Sequence, residues 1–286
     1  MRSRLERLWN HVFFRPACPL GLVAARTVVC VQALWILLSR PDLPELAAWP
    51  PEFFGSLEPF LTWRFGIVGP SLAAERGLFL ALHALLLATL LGIRPRDTGL
   101  AAGLLLYHFA PFEELIAGLP HTAFGGLTIP VLALIILSFA RAPSLRAPAS
   151  AEYRWPLALI QLLFSFSYLF PTLAKLRFSG PDWFSAENIH YYALGNATLT
   201  DAPLALWVAA RPLVCGAIAL GTLLLEASAP LVVVFPAYAA AFVPAALAFH
   251  FGILLVIGYF FPSLPLLLLL LDWDALSRRL ARAGRA

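Results

Sequence analysis

Residues 155–176, WPLALIQLLFSFSYLFPTLAKL, are the stretch whose reading decides the fold. At ~1.5 Å per residue the run reaches ~33 Å as a helix, enough to cross ~30 Å of hydrocarbon. Its only charge is Lys175, at the end. Gln161, Ser165, Tyr168, Thr172 and Lys175 recur at i, i+4, i+7, i+11 and i+14, one continuous polar stripe on an apolar helix. Such a stripe is costly against lipid, so it faces the bundle interior or a cavity. Two readings stay open: hydrogen-bonding glue between helices, or a working site. Pro171 removes a backbone donor and frees a carbonyl just before the lysine, a break tolerated beside a cavity or a neighbouring helix.

Lys175 is the chain's single lysine against nineteen arginines. Arginine keeps its proton, whereas a lysine in a low-dielectric pocket can release one and act as a base. The alternative is that Lys175 snorkels to the interface with no chemical role.

The rest of the chain is built from similar runs. Apolar residues make up 60% and charged residues 13% of 286, and the mean hydropathy is +0.81, values that exclude an ordinary soluble domain. The net charge of +4 is no nucleic-acid signal, because the arginines gather at the termini and in short loops, as membrane topology requires. Cys18, Cys30 and Cys215 show no CxxC and no metal spacing, so no metal is expected. The first apolar run contains Arg26 and lacks a small-residue cleavage site, which reads as a retained span rather than a signal peptide.

The expected fold is therefore all-α, a polytopic helical bundle of about eight spans in a single domain over 1–286, with six spans plus a re-entrant hairpin as the variant of equal parity. Residues 1–17 place Leu5, Leu8, Trp9, Val12 and Phe13 on one face and arginines on the other, an amphipathic helix lying on the membrane. Spans follow at about 19–39, 76–93, 98–117, 121–140, 155–176 and 212–235, and the run 237–272 reads as two more, broken at Pro262 and Pro265. Segment 177–211 falls on the extracytoplasmic side. The turn Arg94–Arg96, the stretch Arg141–Arg154 and the basic tail 273–286 fall inside, giving an inner-membrane protein with both termini cytoplasmic.

Topology sorts the remaining polar groups by depth. Lys175 ends an outgoing span and His121 opens an ingoing one, so both lie near the outer surface, and His83 lies ~10 Å below it. With Gln161 and His250, these groups are candidates to line one cavity. Arg26 and Glu226 lie ~10 and ~14 Å from the inner ends of their spans. Because either charge alone is expensive in the membrane, the two are expected to form a structural ion pair. His108 and His250, each near mid-span, leave bis-histidine haem ligation as an alternative, although no haem motif accompanies them.

Four segments resemble the membrane part of the vitamin K-dependent γ-carboxylase family and, more closely, bacterial horizontally transferred transmembrane (HTTM) domain proteins. LGLVAARTVVCVQALW resembles the family's first span with its early arginine, here Arg26. SYLFPTLAKLRFSGPDWFS resembles its tyrosine–lysine helix, with Tyr168, Lys175, Leu176 and Trp183 in register. GTLLLEASAPLVVVFP resembles its glutamate–proline helix, with Glu226 and Pro230. AFHFGILLVIGYFFPSLPL resembles its late histidine helix, with His250, Gly258 and Phe260. The resemblance implies a quinol cofactor such as menaquinol or vitamin K hydroquinone, Lys175 as the general base that deprotonates it, and His121 and Tyr168 as its assistants. It also implies a quinone and a peptide or protein as partners within the lipid bilayer. His121 stands in Leu119-Pro120-His121-Thr122 rather than in the family's asparagine-rich stretch. The carboxylases continue into a long extramembrane domain and this chain stops after the basic tail, so protein glutamate carboxylation by this polypeptide alone is not expected. The reading from another class is a non-catalytic scaffold or accessory subunit for peptide maturation or export.

Overall fold

Apolar runs of helical period become helices throughout the computed structural model, which describes residues 2–49, 71–116, 126–141, 147–200 and 202–283. In chain order the helices are α1 (Arg2–Phe13), α2 (Leu20–Ser39), α3 (Leu43–Ala47), α4 (Leu72–Leu90), α5 (Pro95–Ile116), α6 (Thr128–Phe139), α7 (Arg154–Phe178), α8 (Ala186–Ala197), α9 (Ala205–Ala209), α10 (Pro212–Ser228), α11 (Leu231–Val234), α12 (Ala239–Ile257) and α13 (Trp273–Ala283). No strand occurs among the described residues, only one antiparallel bridge between Ala17 and Ser150. The protein is an all-α polytopic membrane protein. Five helical stretches among the described residues are long and apolar enough to cross a bilayer: Leu20–Ser39, Leu72–Leu90, Ala151–Phe178, Pro212–Val234 and Pro236–Ile257. α5 has spanning length at 22 residues but carries Asp97, Glu113 and Glu114, and α6 is a shorter apolar helix of 12.

The described residues pack as two compact units, 13–160 and 1–12 with 161–286. In the first, α2, α4, α5 and α6 bury Leu22, Val29, Leu82, Leu86, Leu106, Phe109 and Leu134. A small residue sets the α5–α6 spacing: a Cβ on Gly103 would lie 3.0 Å from Ile135 Cγ1 and 3.3 Å from Leu134 Cβ. Ser71 starts α4 by accepting a hydrogen bond from the Ala74 amide. Glu45 lies on α3, outside the spans, where Arg76 of α4 donates to it at 2.7 Å and holds its carboxyl below the usual carboxylate range.

In the second unit, α8 packs along α10. Ile189 and Ala193 of α8 share a core with Val208, Ala209, Cys215, Ala219 and Val256. The described residues of segment 177–211 are thus largely helical and contribute to a core. The run expected to give two final spans gives one. After α12 the chain turns at Gly258, φ +75°, and Leu264–Leu270 forms a 3-10 helix of seven residues. At ~2.0 Å per residue that segment covers ~14 Å, too little to cross hydrocarbon, and the prolines at 262 and 265 explain why no α-helix restarts. The tail is also more than basic charge. α13 exposes Leu276 and Leu280 on a helix carrying Arg278, Arg279 and Arg282, and Asp272 caps it by accepting from the Ala275 amide.

Gly258 is required twice over. Its left-handed backbone disfavours any side chain, and a Cβ there would lie 2.4 Å from Thr200 Oγ1 and 2.5 Å from Thr200 Cβ. We expect Gly258→Ala to cost about 1–2 kcal/mol for the backbone alone, with the overlap added. The thermal midpoint in detergent should fall by roughly 4 °C or more, and Thr200→Gly in the same background should restore part of it. Unchanged melting of the single variant would refute this account of the turn.

Candidate functional site

The stripe on α7 keeps one face, as its spacing predicts, and within its unit it meets α10, α12 and the 3-10 segment. Gln161 Nε2 donates to the Leu269 carbonyl at 2.8 Å, satisfying a backbone acceptor of the 3-10 segment. Ser165, fully buried, donates back to the Gln161 carbonyl at 2.7 Å. Tyr168 and His250 join through the phenolic oxygen and Nε2 at 2.9 Å, while His250 Nδ1 is buried without a hydrogen-bond partner. Phe261 lies 4.5 Å from the His250 ring and Phe242 5.6 Å from the Tyr168 ring, so aromatic surface walls the dyad.

At the end of α7, Lys175 Nζ reaches both carboxylate oxygens of Glu226, at 2.5 and 2.6 Å. Thr172 donates to the same carboxylate at 2.9 Å. The Lys175 side chain is 20% exposed and that of Glu226 8%, so the carboxylate is enclosed and the amine is reachable. The Trp183 ring lies 5.1 Å from Nζ and adds a cation–π face.

This pairing corrects the assignment made from depth. Counting from the charged ends put Lys175 at the outer surface and Glu226 ~14 Å from the inner one. The ion pair puts both at one level, because the C-terminal ends of α7 and α10 meet. The charge partner of Glu226 is thus Lys175. Arg26 sits in the other unit, its guanidinium beside Gly92 in the α4–α5 turn. His83 bonds through Nδ1 to the Phe79 carbonyl of its own helix at 2.8 Å. His121 lies outside the described residues.

Sequence reasoning missed one pair. Glu75 Oε2 and His108 Nε2 lie 2.8 Å apart, with side chains 0% and 4% exposed, and the Phe109 and Phe112 rings flank the imidazole. A span beginning at about residue 76 leaves Glu75 outside the bundle, whereas Ser71 caps α4 just before it and so carries it into the bundle. His108 bonds a carboxylate, an arrangement different from ligation of a haem. No group of three or more metal-ligating side chains occurs among the described residues. No family profile, curated protein or solved structure matches this chain.

Proposed function

We propose that this chain is a membrane-embedded enzyme of the type its four segments resemble, a quinol-dependent oxidoreductase or carboxylase-like protein in which Lys175 and Glu226 handle the proton of an acidic hydroxyl. The observation that carries the reading is a reachable amine bound to both oxygens of an enclosed carboxylate. When Lys175 passes a proton to Glu226, the free amine takes the hydroxyl proton of the substrate. The resulting ammonium then stands beside the oxyanion it has created, with Glu226 neutral. Aromatic walls and a lipid-level position suit a quinol-type substrate, and Tyr168–His250 supplies a second polar group on the same helix face. By the same resemblance a peptide or protein is the other substrate.

The scaffold reading has its own support. Every member of the α7 stripe is hydrogen-bonded within the protein, as assembly glue would be. Mass spectrometry of small molecules extracted from gently purified protein separates the two. A quinone retained by the wild type and lost on Lys175→Ala, at equal protein recovery, supports the enzyme. No quinone in either supports the scaffold.

The arginine distribution supports a cell inner membrane with both termini, Arg94–Arg96 and Arg141–Arg154 in the cytoplasm, and cysteine labelling tests the expected outer position of 177–211. Single cysteines labelled from intact cells should react within 180–200 and stay protected at position 146. The reverse pattern would invert the topology.

A further inference from the structure

We infer that the first unit carries a binding site for a phosphate-class anion, built from three arginines where α2, the α4–α5 turn and α6 converge. One pocket is lined by Arg26, Arg96 and Arg141 together with Thr89, Gly99 and Leu134. The three cations come from different parts of the sequence, so local composition does not explain their meeting.

Arg26 is the innermost of them. Its Nε is buried with no hydrogen-bond partner, and no carboxylate within its unit is bonded to it among the described residues. The fold fixes where this guanidinium lies. Gly92 turns the chain with φ +78°, and a Cβ there would lie 3.5 Å from Arg26 Nη2 and 3.8 Å from Cζ. The cation therefore rests against bare backbone at the C-terminal end of α4, the end of a helix that favours positive charge. Arg96 donates through Nε to the Ser138 carbonyl at 3.4 Å, and among the described residues neither of its Nη groups has a hydrogen-bond partner. Arg141 shares one Nη with Glu152 at 3.2 Å, and both of those side chains are more than half exposed. Asp97, the other nearby carboxylate, is paired with Arg94 at 2.8 Å outside the lining. The pocket thus holds an excess of guanidinium over carboxylate.

Guanidinium forks suit the tetrahedral oxygens of a phosphate, which accept two parallel N–H bonds from each fork. Arg96 also stands in the first turn of α5, a helix of 22 residues whose N-terminus adds further attraction for an anion. A lipid headgroup at the end of the helical bundle and free phosphate present the same chemistry to this pocket. The inference is independent of the role given to Lys175, which lies in the other unit.

The test uses full-length protein in phosphate-free detergent, titrated with inorganic phosphate, with dioctanoyl phosphatidylglycerol and with dioctanoyl phosphatidylcholine, read by native mass spectrometry and thermal shift. Saturable one-to-one binding of an anionic probe is expected. Arg96→Gln and Arg26→Gln should each weaken it ~10-fold or more, the size of one lost charge-assisted contact. Arg26→Lys keeps the charge but loses the fork and should also weaken binding. Arg94→Gln removes the same charge two residues away, outside the lining, and should leave affinity within ~2-fold. Because Arg96 is exposed, its variant tests the site even where Arg26 variants fail to fold. Binding of inorganic phosphate identifies a free anion as sufficient, and binding of phosphatidylglycerol alone identifies a headgroup. Absence of saturable binding, equal binding of phosphatidylcholine, or an Arg94→Gln effect equal to Arg96→Gln would overturn the inference.

Discussion

Lys175→Ala is expected to abolish the proposed quinol-dependent turnover and to lower stability, whereas Lys175→Arg should restore the stability and leave that turnover nearly as poor. Alanine strands the Glu226 carboxylate, 8% exposed, with Thr172 as its remaining hydrogen-bond donor. Removing one partner of a buried pair costs roughly 3–5 kcal/mol, and the 20% exposure of Lys175 places this case toward the lower end. Arginine can still bond the carboxylate but cannot give up its proton, so a general-base contribution of ~10²–10⁴-fold disappears while the charge remains. Lys175→Met with Glu226→Leu should recover most of the lost thermal stability, since neither charge is then left alone. Turnover is read on purified protein supplied with a quinol, the substrate class proposed for it, and stability from thermal midpoints in the same detergent. Full activity in the arginine variant would reduce Lys175 to an electrostatic anchor and remove the base from the mechanism.

The stripe that carries this prediction was legible in the sequence because helical period alone decides which side chains share a face. Gln161, Ser165, Tyr168, Thr172 and Lys175 needed no partner helix to be grouped. Their partners were not legible in the same way. Depth counted from charged ends matched Glu226 to Arg26, but an ion pair also depends on which helices are neighbours, how each is rotated and where a helix stops. α7 and α10 meet at their C-terminal ends, a relation that residue counting along separate spans does not contain. The final apolar run failed for a different reason. Its hydropathy is that of a span, and the prolines at 262 and 265 were read as a boundary between helices, when they instead hold Leu264–Leu270 in a short 3-10 turn. Glu75 was missed because hydropathy alone starts the second span at about residue 76, one position after it. The signal was present, because Ser71 lies four residues before it and serine before an apolar run marks a helix start.

Glu75 and His108 support the second large prediction, an asymmetry between the two partners. His108→Leu should destabilise the protein by roughly 3–5 kcal/mol, because it leaves a fully enclosed carboxylate without its hydrogen-bond partner. Oε1 of Glu75 is already buried without a partner, so the imidazole is the group that holds this side chain. Glu75→Gln should be far milder. The amide is neutral and close to the same shape, its oxygen can accept from the Nε2–H of a neutral imidazole, and the desolvated negative charge is gone. Glu75→Gln combined with His108→Leu should lie between the two, since an unpaired buried amide costs less than an unpaired carboxylate. Thermal midpoints of the three variants in one detergent, compared at equal recovery from the membrane, decide the ordering. Equal loss in Glu75→Gln and His108→Leu would mean that the negative charge itself is required, and the pair would then have to be an ion pair that neither neutral form can replace.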